Sequence, residues 1–282
     1  MSRPRWVDEQ VRIVSGPDWP VWPMLLRYGA PLVSLFGRIT VTSELEPGLL
    51  NGPLLLAANH IGNFDTTVIA IGCRRVGVVP KFLVTGGIMA APVVGPFLTR
   101  SGHIRVDRGG PDAALALEVT AAALRHGGHV VVYPEGRISL DPGLWPERGR
   151  TGVARLALST RVPVIPVSQW GAHEVTAYEG AKAMVRTTAS AIWRQPRLAV
   201  HFGVPVRLED LEPGRRGDAN RARTRITAAI TEGLRPLRAA EPELPRFHDR
   251  TRPVILAGTA AFPGGRVPGP LPRAAVDLRL RG

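Results

Sequence analysis

One cysteine, Cys73, stands in 282 residues. Neither an internal disulfide nor a cysteine-built metal site can be assembled from it, and such usage suits a reducing compartment. Apolar runs are short as well. None reaches the roughly 18 residues of a membrane-spanning helix, because Arg27, Gly29, Pro31 and Arg38 interrupt the longest candidate. The opening stretch MSRPRWVDEQVR carries Arg3, Arg5, Asp8, Glu9 and Arg12 where a secretory signal needs an uncharged core, so no export is expected. No Walker loop and no G-x-G-x-x-G after a strand supports nucleotide chemistry, and no G-x-S-x-G elbow announces a serine nucleophile. Acidic residues are few: 23 against 36 Lys and Arg, a formal charge of +13 that favours anionic partners. Aromatics, at 6%, are not interleaved with the basic clusters as base-stacking platforms would be, which speaks against nucleic acid.

What is present is an alternation of short apolar runs with helical patterns. Residues 53–58, 77–84, 130–133, 162–167 and 198–206 have the length and composition of buried strands. Between them, Ala114, Leu115, Leu117, Val119, Ala122, Ala123 and Leu124 give a helix after Pro111 that Gly127 and Gly128 end, and residues 151–160 and 219–237 repeat at helical spacing. The pattern predicts an α/β sheet covered by helices, and 44% hydrophobic content supplies one sizeable core. Residues 19–38 are apolar with Trp19, Trp22 and arginines interspersed. They fit either an interfacial segment or short helices packed on the domain. From Glu241 onward the chain turns to Pro, Gly, Arg and Ala, reading as a partly disordered tail.

Three segments carry candidate chemistry. Asn59-His60-Ile61-Gly62-Asn63-Phe64-Asp65 follows the apolar run 54–58, setting a histidine and an aspartate five positions apart at a strand exit. A carboxylate on one imidazole nitrogen fixes the tautomer and steadies the imidazolium, leaving the other nitrogen to take a proton from an alcohol. The same pair also occurs as a plain structural hydrogen bond. In Ser101 to Arg108, Ile104 and Val106 fall on one face of a short strand and Arg105 and Asp107 on the other. Arg108 then enters a Gly-rich turn, where it can hold a phosphate or join a surface ion pair. The third segment, His129 to Arg137, is a strand ending in Tyr133-Pro134-Glu135-Gly136. Its exit can present Glu135 and Arg137 to a ligand, or be a tight turn with an exposed pair.

In this order, and with Val162-Pro163-Val164-Ile165-Pro166-Val167 after them, these segments resemble the glycerophospholipid acyltransferase family, in particular its 1-acylglycerol-3-phosphate branch. Asn59, His60 and Asp65 match its Asn-His-x4-Asp block; Gly102, Asp107 and Arg108 its Gly-to-Asp-Arg block; Tyr133 to Gly136 its aromatic-Pro-Glu-Gly block; and Arg148 to Gly152 its basic-Gly stretch. One departure stands out. The family's Thr-Arg-Ser after Pro-Glu-Gly is here Arg137-Ile138-Ser139, so the guanidinium comes one residue early.

The resemblance implies an α/β fold with a central mixed sheet, an acyltransferase domain at 46–240, an N-terminal helical segment at 1–45, possibly interfacial, and a tail at 241–282. It further implies direct acyl transfer from acyl-CoA or acyl carrier protein to the hydroxyl of a phosphate-bearing lysolipid, with His60 as base and Asp65 as its support. Asn59, Arg108, Glu135, Gly136, Arg137 and Arg150 would then bind the acceptor; no cofactor and no metal is implied, and the expected place is the cytoplasmic face of a membrane. The shifted guanidinium leaves open another lysophospholipid or a glycolipid alcohol as acceptor. A non-catalytic protein binding anionic surfaces is the alternative from another class, and it would make His60 dispensable.

Overall fold

The computed structural model describes residues 4–107, 112–141, 143–176 and 180–240. Helices α1 (Arg5–Val14) and α2 (Val21–Val33) lead into strands β1 (Arg38–Ser43) and β2 (Leu54–Ala58). Then come α3 (Asp65–Arg75), β3 (Pro80–Thr85), the short α4 (Gly86–Met89), α5 (Val94–Arg100), β4 (Ile104–Val106), α6 (Asp112–Arg125) and β5 (His129–Val132). The remainder holds α7 (Thr151–Thr160), β6 (Val164–Trp170), a single turn α8 (Ala172–Val175), α9 (Ala181–Arg194), β7 (Arg197–Phe202) and α10 (Asp218–Leu237).

The seven strands form one mixed sheet in the order β1-β7-β6-β2-β5-β3-β4. Strands β6, β2, β5, β3 and β4 run parallel, while β7 opposes β6 and carries β1 parallel to itself. Every residue of β2 and β6 is buried, as parallel strands covered on both faces require. On one face α1, α6, α7 and α10 contribute Val14, Val119, Leu156 and Ile230. On the other, α2, α3 and α9 contribute Leu26, Ile69 and Ala191.

Local chemistry explains the less obvious choices. Helix α7 ends because Arg161 turns left-handed (φ 56°) and Pro163 follows two residues later. Pro166 sits inside β6, yet its carbonyl accepts from Gly203 just past the point where the β6–β7 ladder ends at Phe202, so its missing N–H costs no ladder bond. Helix α10 approaches β6 closely: Ser168 donates to the Ile230 carbonyl at 2.7 Å, and a Cβ on Gly233 would meet Ser168 Oγ at 2.5 Å.

Two expectations need correction. A boundary at residue 45 would detach residues 38–43, which are β1 and pair along their length with β7. The run 77–84 starts with a left-handed turn at Gly77 (φ 84°), and its strand begins only at Pro80. The tail at 241–282 lies outside the described residues.

Candidate active site

Strand β2 lies between β5 and β6, with Ala57 beside Val132 and Ala58 beside Val167. The residues leaving its C-terminal end therefore meet those leaving β5. The chain turns at once into α3, whose first residue is Asp65. That carboxylate is fully buried, and its Oδ2 accepts from His60 Nδ1 at 2.8 Å and from the backbone N–H groups of Ile61 and Gly62 at 2.5 and 3.0 Å. A carboxylate only accepts, so Nδ1 is the donor, and in the neutral ring the lone pair is on Nε2. The imidazole, 13% exposed, stacks on the Tyr133 ring with centroids 4.1 Å apart and planes 18° from parallel. Tyr133 in turn hydrogen-bonds Thr66 of α3 at 3.3 Å. The ring is thus fixed edge-on by Asp65 and face-on by Tyr133.

The segment after β5 holds the histidine's backbone as well. Glu135 accepts the His60 N–H at 3.2 Å and the Glu147 N–H at 3.0 Å, while Ser139 N–H donates to the His60 carbonyl at 2.8 Å. Burial pushes the Glu135 carboxyl up to about 8, with the bonds from Glu147 and His60 pulling the other way. Gly136 makes the turn with φ 69°, and the side chain of Arg150 passes over it, 3.4 Å from where a Cβ would sit. Arg137 is half-exposed and pairs with Glu147 at 3.2 Å. Two guanidinium groups, Arg137 and Arg150, therefore flank the turn on its solvent side.

Other expected binding residues are used differently. Asn59, expected at the acceptor, is buried: Nδ2 donates to the Gln169 carbonyl at 2.9 Å and Oδ1 accepts its N–H at 2.8 Å, clamping β2 to β6. Glu135 is likewise committed to two backbone N–H groups rather than turned toward a ligand. Asp107 pairs with Arg105 at 2.7 Å on β4, three strand spacings or about 14 Å from β2; Arg108 lies outside the described residues. Residues 164–170 are buried strand in the core. Cys73 is sealed inside α3, where burial pushes its thiol far up and leaves it unfit as a nucleophile.

Sequence reasoning missed the support beneath this site. The Arg238 guanidinium lies 4.1 Å from the ring centroid of Trp145 and 3.9 Å from that of Trp170, tying the end of α10 to the loop after Gly136. Ile61, Leu144 and Leu234 complete this small cluster. His173 packs its backbone against Gly62, and burial, then Arg238, pushes its imidazole down to about 3. No local signal marks Arg238, because its partners come from distant segments.

A model of the Acyltransferase family matches residues 38–170, a span that contains His60, Asp65 and the whole turn at Glu135. This stretch is an acyltransferase domain of the glycerophospholipid acyltransferase family. A 1-acyl-sn-glycerol-3-phosphate acyltransferase of Cocos nucifera is 28% identical over 167 residues, covering 54% of this chain and 51% of its own. One from Limnanthes douglasii is 32% identical over 84 residues, 29% of each chain. The chain thus spans about half the length, or less, of these curated relatives. Among solved structures, the 1-acyl-sn-glycerophosphate acyltransferase of Thermotoga maritima shares the fold, with a TM-score of 0.54 at 17% identity over 86% of each chain.

Proposed function

We propose that this acyltransferase domain moves a fatty acyl group from acyl-CoA or acyl carrier protein to the free hydroxyl of 1-acylglycerol-3-phosphate, giving phosphatidic acid. The geometry of His60 carries the reaction type: Nδ1 is occupied by buried Asp65 at 2.8 Å, so Nε2 alone is left to receive a proton. The names of the relatives support the acceptor.

In this mechanism the acceptor hydroxyl gives its proton to His60 Nε2 as its oxygen attacks the thioester carbonyl. Asp65 stabilises the imidazolium that forms. Collapse of the tetrahedral intermediate breaks the C–S bond, and the leaving sulfur takes the proton back from Nε2. The balance needs no acyl-enzyme, metal or cofactor. Arg137 and Arg150 are assigned to the acceptor phosphate, with Gly136 giving the turn that presents them. Arg137 would exchange its pairing with Glu147 for the phosphate, a small cost at an exposed position, on the order of 0–1 kcal/mol.

The acceptor and donor both carry acyl chains, which fits a reaction at a membrane surface, assigned in this reading to the cytoplasmic face. Helix α2 fits that setting: it is anchored by buried Leu26 and by Trp22 donating to the Pro80 carbonyl at 2.9 Å, while Met24, Leu25, Tyr28 and Leu32 face outward. Among the described residues no helix is long and apolar enough to cross a membrane, so attachment is peripheral in this reading. No nucleic acid enters it. Because Arg137 precedes Ile138 where the family has Thr-Arg-Ser, another lysophospholipid or a glycolipid alcohol is the second acceptor class to assay.

The test is turnover of acyl-CoA and lysophosphatidic acid in mixed micelles, following free thiol and phosphatidic acid, with His60→Ala alongside. Turnover that falls at least about 100-fold in the variant supports the assignment. Activity undiminished in His60→Ala would sink the mechanism, and an inert wild type would turn the assay to the other acceptors.

A further inference from the structure

Helix α9 leaves an unusual face uncovered. Ala191 is the residue it buries against the sheet layer, and Val185, Ala189, Ile192 and Trp193 all face solvent, Trp193 being 80% exposed. At 100° per residue these four fall on one stripe of roughly 100° opposite Ala191. Arg186 lies at the edge of this stripe and Lys182 falls within its angular range one turn before Val185, both exposed, and Ala181–Arg194 contains no Asp or Glu. The helix is firmly held. Gln195 makes its left-handed C-cap and donates to the Leu35 carbonyl at 2.6 Å, Arg38 N–H donates to the Pro196 carbonyl at 2.9 Å, and Arg194 donates to the Glu174 carbonyl at 2.6 Å.

The Gln195 bond ties the end of α9 to Leu35, two residues past α2, and both helices lie in the same layer over the sheet. The exposed side chains of α2, among them Tyr28 and Leu32 with Arg27 beside them, likewise include no carboxylate. We infer that α9 is a second membrane contact, lying in the interface of an anionic bilayer with Val185, Ile192 and Trp193 among the lipid chains and Lys182 and Arg186 at the phosphates. A protein partner would be expected to present carboxylates to these cations and a concave surface to Trp193. A bilayer needs only the pattern seen here: an apolar stripe, an interfacial tryptophan, cations at the stripe's N-terminal end and one edge, and a rigid mount beside another such helix. The inference concerns attachment and does not rest on the chemistry assigned to His60.

The test uses the full chain and vesicles of phosphatidylcholine with or without phosphatidylglycerol. Trp193→Cys labelled with an environment-sensitive dye gives a clean probe, since Cys73 is buried. The dye should shift to the blue and be quenched by brominated lipid on phosphatidylglycerol vesicles, and Val185→Ser with Trp193→Ser should weaken vesicle binding about ten-fold or more with an unchanged melting temperature. A dye that stays aqueous on vesicles the protein has bound, a dye already shielded without vesicles as a second copy would shield it, or undiminished binding by the double variant would each overturn the inference. Lack of turnover with lysophosphatidic acid would leave these readouts untouched.

Discussion

Glu135 accepts the backbone N–H of His60 at 3.2 Å and that of Glu147 at 3.0 Å, so one buried carboxyl joins the proposed base to the loop that carries Arg137 and Arg150. Its burial has a consequence for pH. The folded chain holds this proton up to about 8, whereas the ordinary value is 4.5. Between those limits the folded state binds a proton that the unfolded chain releases, so the group's contribution to stability is complete below 4.5 and is lost as pH rises through 8. Glu135→Gln does not titrate. Its melting temperature should therefore fall less steeply than that of the wild type across this window, whatever its absolute value; parallel profiles would show that Glu135 is ionised throughout.

His60 and Asp65 should separate in their effects on activity and stability. His60→Ala removes a partly exposed ring whose backbone bonds to Glu135 and Ser139 remain, so its melting temperature should change little while turnover falls about 100-fold or more. Asp65→Ala strips the acceptor from His60, Ile61 and Gly62 together. Leaving buried donors unsatisfied costs about 1–3 kcal/mol each at most, so this variant should lose both turnover and stability. Thermal melts beside initial rates distinguish the two.

The pairing of His60 with Asp65 was legible because five residues span a strand exit and the first turn of a helix, a local geometry. The helices ending at Gly127, at Pro163 and near Leu237 were legible for the same reason: breakers and apolar spacing act within a few residues. Strand β1 was not legible although Ile39, Thr40, Val41 and Thr42 are a β-branched run, because it falls inside the N-terminal segment expected to be helical over residues 1–45. The roles of Asn59 and Glu135 were not legible. Both are polar residues at a motif, and only the placement of Gln169 and Glu147 reveals that their side chains are consumed by backbone groups.

The Arg238 sandwich predicts a local effect. Cation–π contacts of a desolvated guanidinium are worth about 2 kcal/mol, and this one bridges α10 to the loop after Gly136 through Trp145 and Trp170. Arg238→Ala should lower stability by about 1–3 kcal/mol and should expose residues 136–150 to faster hydrogen exchange before the sheet is affected. Protection lost uniformly over the chain would mean that the loop is not held through this contact.

The acceptor phosphate is tested at Arg137. If this guanidinium leaves Glu147 to bind phosphate, Arg137→Ala should raise KM for lysophosphatidic acid about ten-fold, the loss of one charge-assisted contact, with a smaller change in kcat. Turnover of a neutral monoacylglycerol, slow as it would be, should not respond. Arg137→Lys should recover little, because an ammonium cannot reproduce the planar fork. Glu147→Gln sharpens the argument: its amide oxygen can still accept from Leu140, which Glu147 holds at 2.9 Å, while the charge that detains Arg137 is gone. That variant should lower KM for lysophosphatidic acid. A KM unmoved by either change would take Arg137 out of the acceptor site and leave the phosphate to Arg150 or to an arginine elsewhere in the chain.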